Sequence, residues 1–283
     1  MTTVVDAHFH CWRLDRGDYG WLTPALAPIH RDVSIADWQR EARPHGVQGG
    51  VLVQAAPTEA ETLFLLDAAR ANDAVLGVVG WIDLLAEDAP QRIARLAAAE
   101  PKLRGLRPML QDVAEPDWIL QPQLAPALQA IAAHGLVFDA LIKPVHLPRA
   151  LVLCERYPAL RIVVDHGAKP DIAANQWEPW ASAMKALAAQ PNVVCKLSGL
   201  LTEAGPRPAR DAARCWCEHL LECFGPRRVL WGSDWPVLEL AASYRDWWDD
   251  TQRVLAALPA ADRRAVLGDN ACRIYGVAPA RRV

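Results

Sequence analysis

Val4-Val5-Asp6-Ala7-His8-Phe9-His10-Cys11-Trp12 is the stretch from which the fold of this chain can be read. Val4-Val5 reads as the start of a buried strand, and residues two apart on a strand share a face. His8 and His10 therefore project side by side, with Phe9 on the opposite face. Two imidazoles on one face at a strand's end suit a metal ion, or can hold and polarise a carbonyl oxygen. Such a pair also occurs on plain surface loops, so its meaning depends on what the rest of the chain brings beside it.

Working outward, Arg13 to Val33 is a long irregular segment with Gly17, Gly20, Pro24 and Pro28. Loops of this length inside a compact domain are usually functional. Seven more short apolar runs read as strands: Gly49–Gln54, Val75–Trp81, Leu103–Arg107, Leu136–Leu141, Arg161–Asp165, Asn192–Leu197 and Arg228–Trp231. Helical patterns separate them. Ser34 with Asp37, and Thr58 with Glu61, read as capping boxes. The pattern Pro122–Ala133 stops at His134-Gly135, a glycine C-cap. Further helices are expected over Ala89–Ala99, Leu147–Tyr157, Trp177–Ala189, Pro208–Phe224, Ala242–Ala257 and Ala260–Tyr275.

Strand followed by helix, eight times over, implies parallel pairing with right-handed crossovers. The expected fold is α/β: one distorted (β/α)8 TIM barrel spanning residues 1–283, its active site at the C-terminal ends of the strands. A doubly wound open sheet is the alternative. It would want a glycine-rich phosphate turn, and no G-x-G-x-x-G follows any strand.

Composition narrows the function. Of 283 residues, 52% are apolar and 22% charged, ordinary for a soluble globular enzyme. A net charge of -3 gives no basic footprint for nucleic acid. No apolar run reaches the length of a membrane span. The seven cysteines include no Cys-x-x-Cys pair and read as reduced thiols, hence a cytoplasmic location. Monomer and small homo-oligomer both remain open.

The barrel tests the histidines. His8 and His10 end strand one, His166 ends strand six within Val164-Asp165-His166-Gly167-Ala168-Lys169-Pro170, and Asp234 ends strand eight within Trp231-Gly232-Ser233-Asp234-Trp235-Pro236. Gln54, Arg107 and Lys143 reach the same pole from strands two, four and five. His30, His45, His134 and His219 read as bystanders, and His146, just past strand five, is undecided. Asp6 and Asp165 alternate away from the lumen and read as structural pairs. Trp12, Trp81 and Trp235 offer either a stacking wall or core packing. Lys169 either binds substrate or flanks a turn, and Lys196 is either substrate-facing or paired.

These blocks, with Gly105-Leu106-Arg107-Pro108-Met109-Leu110-Gln111-Asp112 and Cys195-Lys196-Leu197-Ser198-Gly199-Leu200, resemble the amidohydrolase superfamily. The nearest likeness is its TIM-barrel branch of sugar-acid and dicarboxylate lactonases. The resemblance spans nearly the whole chain and implies a hydrolase acting on a carboxylic ester bond. Its substrate would be a small-molecule sugar lactone, such as an L-fucono- or L-rhamnonolactone. The roles carry over residue by residue: Asp234 deprotonates the attacking water, while His8, His10 and His166 stabilise the oxyanion. Arg107, Trp12, Gln54, Lys143, Lys169 and Trp235 are the expected substrate contacts. Strand five departs from the wider superfamily, ending in Leu141-Ile142-Lys143 without the usual metal-binding histidine. That argues against two metals. It leaves one divalent ion, zinc being the first choice, on His8, His10 and Asp234 with or without His166, or no metal at all. A decarboxylase or a lactone isomerase of the same superfamily is the alternative enzyme, and a ligand-binding barrel the non-enzymatic one.

Overall fold

The computed structural model describes residues 3–206, 208 and 211–278. Eight strands pair in parallel in sequence order: β1 (Val4–Phe9), β2 (Val47–Val53), β3 (Val75–Gly80), β4 (Leu103–Leu106), β5 (Val137–Ala140), β6 (Arg161–Val164), β7 (Val193–Leu197) and β8 (Val229–Trp231). Helices follow them: α1 (Ile35–Ala42), α2 (Glu59–Arg70), α3 (Ala89–Ala99), α4 (Ala125–Ala133), α5 (Leu147–Arg156), α6 (Trp180–Ala188), α7 (Leu200–Glu203), α8 (Arg214–Phe224), α9 (Tyr244–Leu255), α10 (Ala260–Arg264) and α11 (Asn270–Tyr275). This is the expected (β/α)8 barrel, nearly closed. The helix expected from Pro208 begins at Arg214, and residues 209 and 210 of that expectation lie outside the described residues. So do residues 1, 2 and 279–283 of the expected single domain. Among the described residues no helix is long and apolar enough to cross a membrane.

The barrel interior is a packed core. Val5, Ala7, Val51, Val53, Val79, Val137, Val163, Val194 and Leu230 meet in the lumen, and Ile274 and Tyr275 of α11 plug its lower end. β-Branched side chains dominate because they fill a tapering pleated tube with little rotamer freedom to lose. The opposite strand faces pack against the helices, with Trp38, Trp180, Trp216, Trp231 and Trp247 in that outer layer.

The seam between β1 and β8 is closed by side chains as much as by backbone. Asp6 faces outward there, as expected, and accepts from Ser233 N at 2.8 Å, Ser233 Oγ at 2.7 Å, Trp38 Nε1 at 3.0 Å and Tyr244 Oη at 3.1 Å. Above it, Asp234 N donates to His8 O and His10 N to Trp235 O, both at 2.8 Å. Below it, Gly268 lies so close to the start of β1 that a Cβ would stand 2.1 Å from the Thr3 carbonyl oxygen. Only glycine allows that approach.

The capping box predicted at Ser34 and Asp37 is complete. The one at Thr58 and Glu61 is half right. Thr58 Oγ1 accepts from Glu61 N at 3.1 Å, but the Glu61 carboxylate turns away to accept from Ala55 N at 3.0 Å and Ala56 N at 2.7 Å. Glu61 thus braces the loop after β2, and the Thr58 N–H that a full box would satisfy donates to Ala56 O at 2.9 Å instead.

Candidate active site

The end of β1 departs from simple alternation. Ala7 faces the lumen cluster, yet so does His8, and the pairing with β2 slips between Asp6 and Phe9. The slip re-aims the strand. From there alternation resumes: Phe9 stacks outward on Trp38 with centroids 3.9 Å apart, and His10 turns inward. His8 and His10 end side by side, Nε2 to Nε2 at 3.2 Å, as the two-residue spacing predicts.

His166 arrives by a different device. His166, Gly167, Ala168 and Lys169 all have φ between 50° and 62°, a left-handed turn closed by Lys169 N donating to His166 O at 2.9 Å. Three of these residues carry a Cβ, and each such position costs about 1–2 kcal/mol. The surroundings hold the turn. Trp180 Nε1 donates to Gly167 O at 2.7 Å, and Ser198 Oγ lies 2.9 Å from His166 Nδ1. Gly199, at φ 63°, leaves the space that His166 occupies; a Cβ there would come within 2.5 Å of Nδ1. With the Ser198 hydroxyl donating to Nδ1, the ring carries its proton on Nε2. Asp234 is also left-handed, at φ 58°.

This turn corrects one expectation. Asp165 does not point away from the lumen. Val163 faces inward and Val164 outward, so alternation brings Asp165 inward too, and the left-handed turn then swings His166 to the same side. Asp165 Oδ2 meets Arg107 Nη1 at 3.2 Å, and its Oδ1 meets Lys196 Nζ at 2.9 Å.

The upper ring is Asp234 Oδ1 with three Nε2 atoms around it: His10 at 3.3 Å, His8 at 3.6 Å and His166 at 3.8 Å. All four residues are buried. Burial alone would raise the Asp234 carboxyl, but the imidazoles of His166, His10 and His8 outweigh it and hold it well below the ordinary carboxylate range. Burial, against the pull of Asp234, pushes His166 down to about 4. Burial and the Lys196 ammonium push His8 down as well. Near neutral pH this is an ionised carboxylate facing neutral imidazoles at His8 and His166.

Beneath the ring lies a second cluster. Lys196 Nζ reaches Asp139 Oδ2 at 2.6 Å, Asp165 Oδ1 at 2.9 Å and His8 Nδ1 at 3.1 Å. Lys196 is thus paired, one of its two expected fates. Tyr275 Oη donates to Asp139 Oδ2 at 2.8 Å. Burial pushes the Asp139 carboxyl up to about 6, against the Lys196 ammonium. Asp165 is held well below its usual range; burial opposes this, and Lys196, His8 and Arg107 overcome it.

A divalent ion fits the ring. The donor atoms of His8, His10 and Asp234 are separated by 3.2, 3.3 and 3.6 Å, close to the edges of a tetrahedron with zinc-ligand bonds of about 2.0–2.1 Å. His10 Nδ1 lies 2.8 Å from Val53 O, which can only accept, so the neutral ring turns its Nε2 lone pair inward. His8 is two-faced. With its Nδ1 accepting from Lys196, Nε2 carries a proton and serves as a donor. With Nδ1 donating to Asp165 Oδ1, 3.6 Å away, Nε2 is free to ligate.

Above the ring opens a cavity of about 280 Å³ lined by His10, Arg107, His166 and Asp234, with Trp21, Met109, Lys169 and Glu203 among its walls. Of the expected contacts, Arg107 and Lys169 line it. Arg107 is pinned by donating to Gln54 O and Asp165, while its buried Nε has no partner among the described residues. Gln54 is fully buried behind Arg107, its Nε2 donating to Arg107 O at 2.7 Å. Lys143 is exposed and outside the lining, and His146 is buried, its Nδ1 accepting from Lys143 N at 3.1 Å. Trp12 and Trp235 are buried beside the cavity, donating to Arg31 O and Glu239 Oε1. Trp81 is half-buried and also outside the lining. The tryptophan that reaches the cavity is Trp21, from the long loop after β1, its Nε1 anchored to Ala55 O at 2.7 Å. Glu203, Leu26, Val237 and Leu240 also line it and were not expected as contacts; the length of the Arg13–Val33 loop hinted at one of them, Leu26.

The amidohydrolase family model matches residues 5–277 of this chain. The chain is 47% identical over 281 residues to an L-fucono-1,5-lactonase from Burkholderia ambifaria, covering 98% of this chain and 97% of that one. It is 35% identical over 286 residues to an L-fucono-1,5-lactonase from Burkholderia multivorans, covering 96% of each. The structure of an amidohydrolase from Burkholderia multivorans with bound zinc superposes with a TM-score of 0.91 at 34% identity, over 98% of this chain and 100% of that one.

Proposed function

The chain belongs to the amidohydrolase family, and from that premise we propose that it hydrolyses sugar-acid lactones, an aldono-1,5-lactone of the L-fucono type being the first substrate to try. The observation that carries the reading is the placement of Asp234: a carboxylate oxygen at the cavity floor, 3.3–3.8 Å from three imidazole Nε2 atoms. Lactone opening needs an activated water and a place for the oxyanion.

In the proposed sequence, water attacks the lactone carbonyl carbon while Asp234 takes one of its protons. Negative charge gathers on the carbonyl oxygen, where Nε2–H groups of His8 and His166 donate to it. As the tetrahedral centre collapses, the ring C–O bond breaks and Asp234 returns the proton to the departing oxygen. The products are the hydroxy acid and the regenerated carboxylate. Arg107, rigidly held by Gln54 and Asp165, offers its unpartnered Nε–H to a substrate oxygen. Lys169 belongs at the substrate's far end.

Zinc, when bound on His8, His10 and Asp234, would supply Lewis-acid polarisation of that carbonyl. The zinc-bound Burkholderia multivorans structure and the donor spacing here both support a divalent ion at this site. A decarboxylase has less support, since β5 brings no histidine to the cavity and His146 is engaged with Lys143.

A pH-indicator assay on 1,4- and 1,5-aldonolactones, run on as-purified and chelator-stripped protein, tests the proposal. Acid release is expected from at least one 1,5-lactone. Turnover that survives stripping assigns the oxyanion to the imidazoles, and turnover lost and restored with zinc makes His8 and His10 ligands. A silent panel ends the lactonase reading.

A further inference from the structure

Glu61 sits in the first turn of α2 and is fully buried, yet it does not line the cavity. Its carboxylate ends at two consecutive backbone N–H groups of the loop after β2. Ala55 N lies 3.0 Å from each carboxylate oxygen, and Ala56 N lies 2.7 Å from Oε2. In a trans peptide unit the N–H and C=O point in opposite directions. The carbonyl paired with the first N–H is Gln54 O, which accepts from Arg107 Nη2. The carbonyl paired with the second is Ala55 O, which accepts from Trp21 Nε1 at 2.7 Å. Arg107, Ala55 and Trp21 all line the cavity. One carboxylate thus grips the outer ends of two peptide units, and the inner ends of the same units hold two cavity walls.

The fold alone does not call for this. A carboxylate three residues after Thr58 could have stayed at the surface and completed the capping box. Instead Glu61 is buried with no cation paired to it among the described residues, and burial pushes it up to about 7. An unpaired buried carboxylate disfavours folding near neutral pH. What it does supply is polarisation: a negative charge on a peptide N–H strengthens the carbonyl of that unit as an acceptor. The two walls depend on it unequally. Arg107 has a second anchor in Asp165, at 3.2 Å, whereas the indole of Trp21 has one N–H and places it on Ala55 O. Trp21 belongs to the long loop after β1, which the start of α2 also grips at two other points. Thr58 Oγ1 donates to Asp18 Oδ2 at 2.7 Å, and the Arg16 guanidinium stands 4.8 Å from the centre of the Phe64 ring.

Resting on the lactonase reading for what the walls hold, we propose that Glu61 is a positioning residue. Through the Gln54–Ala55 and Ala55–Ala56 peptide units it sets where Arg107 and Trp21 stand, Trp21 more than Arg107. Both walls bind substrate and neither moves a proton, so displacing them weakens binding and spares the chemistry.

The first arm of the test needs no turnover. Protein labelled with 5-fluorotryptophan gives a fluorine resonance for each indole, and Trp21→Phe identifies that of Trp21. In Glu61→Ala this resonance should shift or broaden. Glu61→Asp, one methylene shorter, should move it part of the way. Glu61→Gln keeps a carbonyl oxygen for both N–H groups and should hold it near the wild-type position. The kinetic arm uses an aldono-1,5-lactone. Glu61→Ala should raise KM by roughly 10-fold or more and change kcat by less than about 3-fold. Combined with Trp21→Phe, it should raise KM by less than the product of the two single effects. Thermal melts check that each variant is folded, and Glu61→Asp serves if the alanine variant is not. A Trp21 resonance unmoved in the folded alanine or aspartate variant overturns the proposal. So does a fall in kcat at unchanged KM, or full additivity in the double variant. If no lactone is opened, the lactonase reading fails alone, and the fluorine arm still decides whether Glu61 places Trp21.

Discussion

Two groups of ionisable side chains are stacked along the barrel axis, and they are built on opposite terms. The lower group is charge-paired. Two carboxylates, Asp139 and Asp165, face two cations, Lys196 and Arg107, at 2.6–3.2 Å. The upper group is open. One carboxylate faces three imidazoles at the floor of the cavity. Both groups are built around aspartate; what differs is whether the carboxylate faces a fixed cation or neutral-capable imidazoles open to the cavity. A charge with every partner supplied holds a barrel in shape, and one with a partner missing can bind an ion or a reacting oxygen.

That contrast can be broken by substitution. Asp234→Asn should lower kcat by up to roughly 10⁴-fold while leaving the melting temperature nearly unchanged. A melt that collapses with it would erase the distinction between the groups. Lys196→Met should do the reverse to stability, costing about 3–5 kcal/mol because it strands two buried carboxylates. In a chain this long that is roughly a 10 °C fall in melting temperature. A variant that melts like wild type would show that the charge pairing of the lower group does not hold the barrel together.

Glu61 sharpens the comparison, being a buried carboxylate compensated by backbone N–H groups and no cation. Burial pushes it up to about 7 from an ordinary 4.5. A raised carboxyl favours the protonated folded state, so its contribution is full below pH 4.5 and is lost as the pH rises through about 7. About 3 kcal/mol should disappear over that window. Denaturant melts across it should show the slope, and Glu61→Gln should flatten it; an equal slope in the variant would put the titration elsewhere. The smallest expected effect is at Ser198. Ser198→Ala frees His166 to change tautomer and should lower kcat by roughly 10-fold with KM little altered. A change confined to KM would contradict that positioning role.

Much of this was legible beforehand. The barrel follows from strands and helices repeating in order, because local periodicity survives in any context. His8, His10, His166 and Asp234 follow because a barrel gathers its strand ends at one pole. Asp165 did not, since two neighbours facing the same way need a left-handed turn that no pattern of hydrophobicity encodes. The Asp139–Lys196 pair spans 57 positions and shows no local signal. Glu61 misled for the opposite reason: its spacing from Thr58 matched a familiar cap, and tertiary need for a brace at Ala55 and Ala56 prevailed. Leu26, Val237 and Leu240 lie in 3-10 turns of three or four residues, too short for a periodicity to read.

The seam has a consequence in time. His8 and Asp234 are joined through backbone, one strand's carbonyl to the other's amide, and Asp6 locks the same junction from outside. The eighth strand leaves the ribosome after the other seven. Until it docks against the first, a nascent chain holds its imidazoles without Asp234 among them. With Asp234 as the proposed base, turnover would begin only once the ring of strands is shut, and activity measured during synthesis would act as a clock for the final closure.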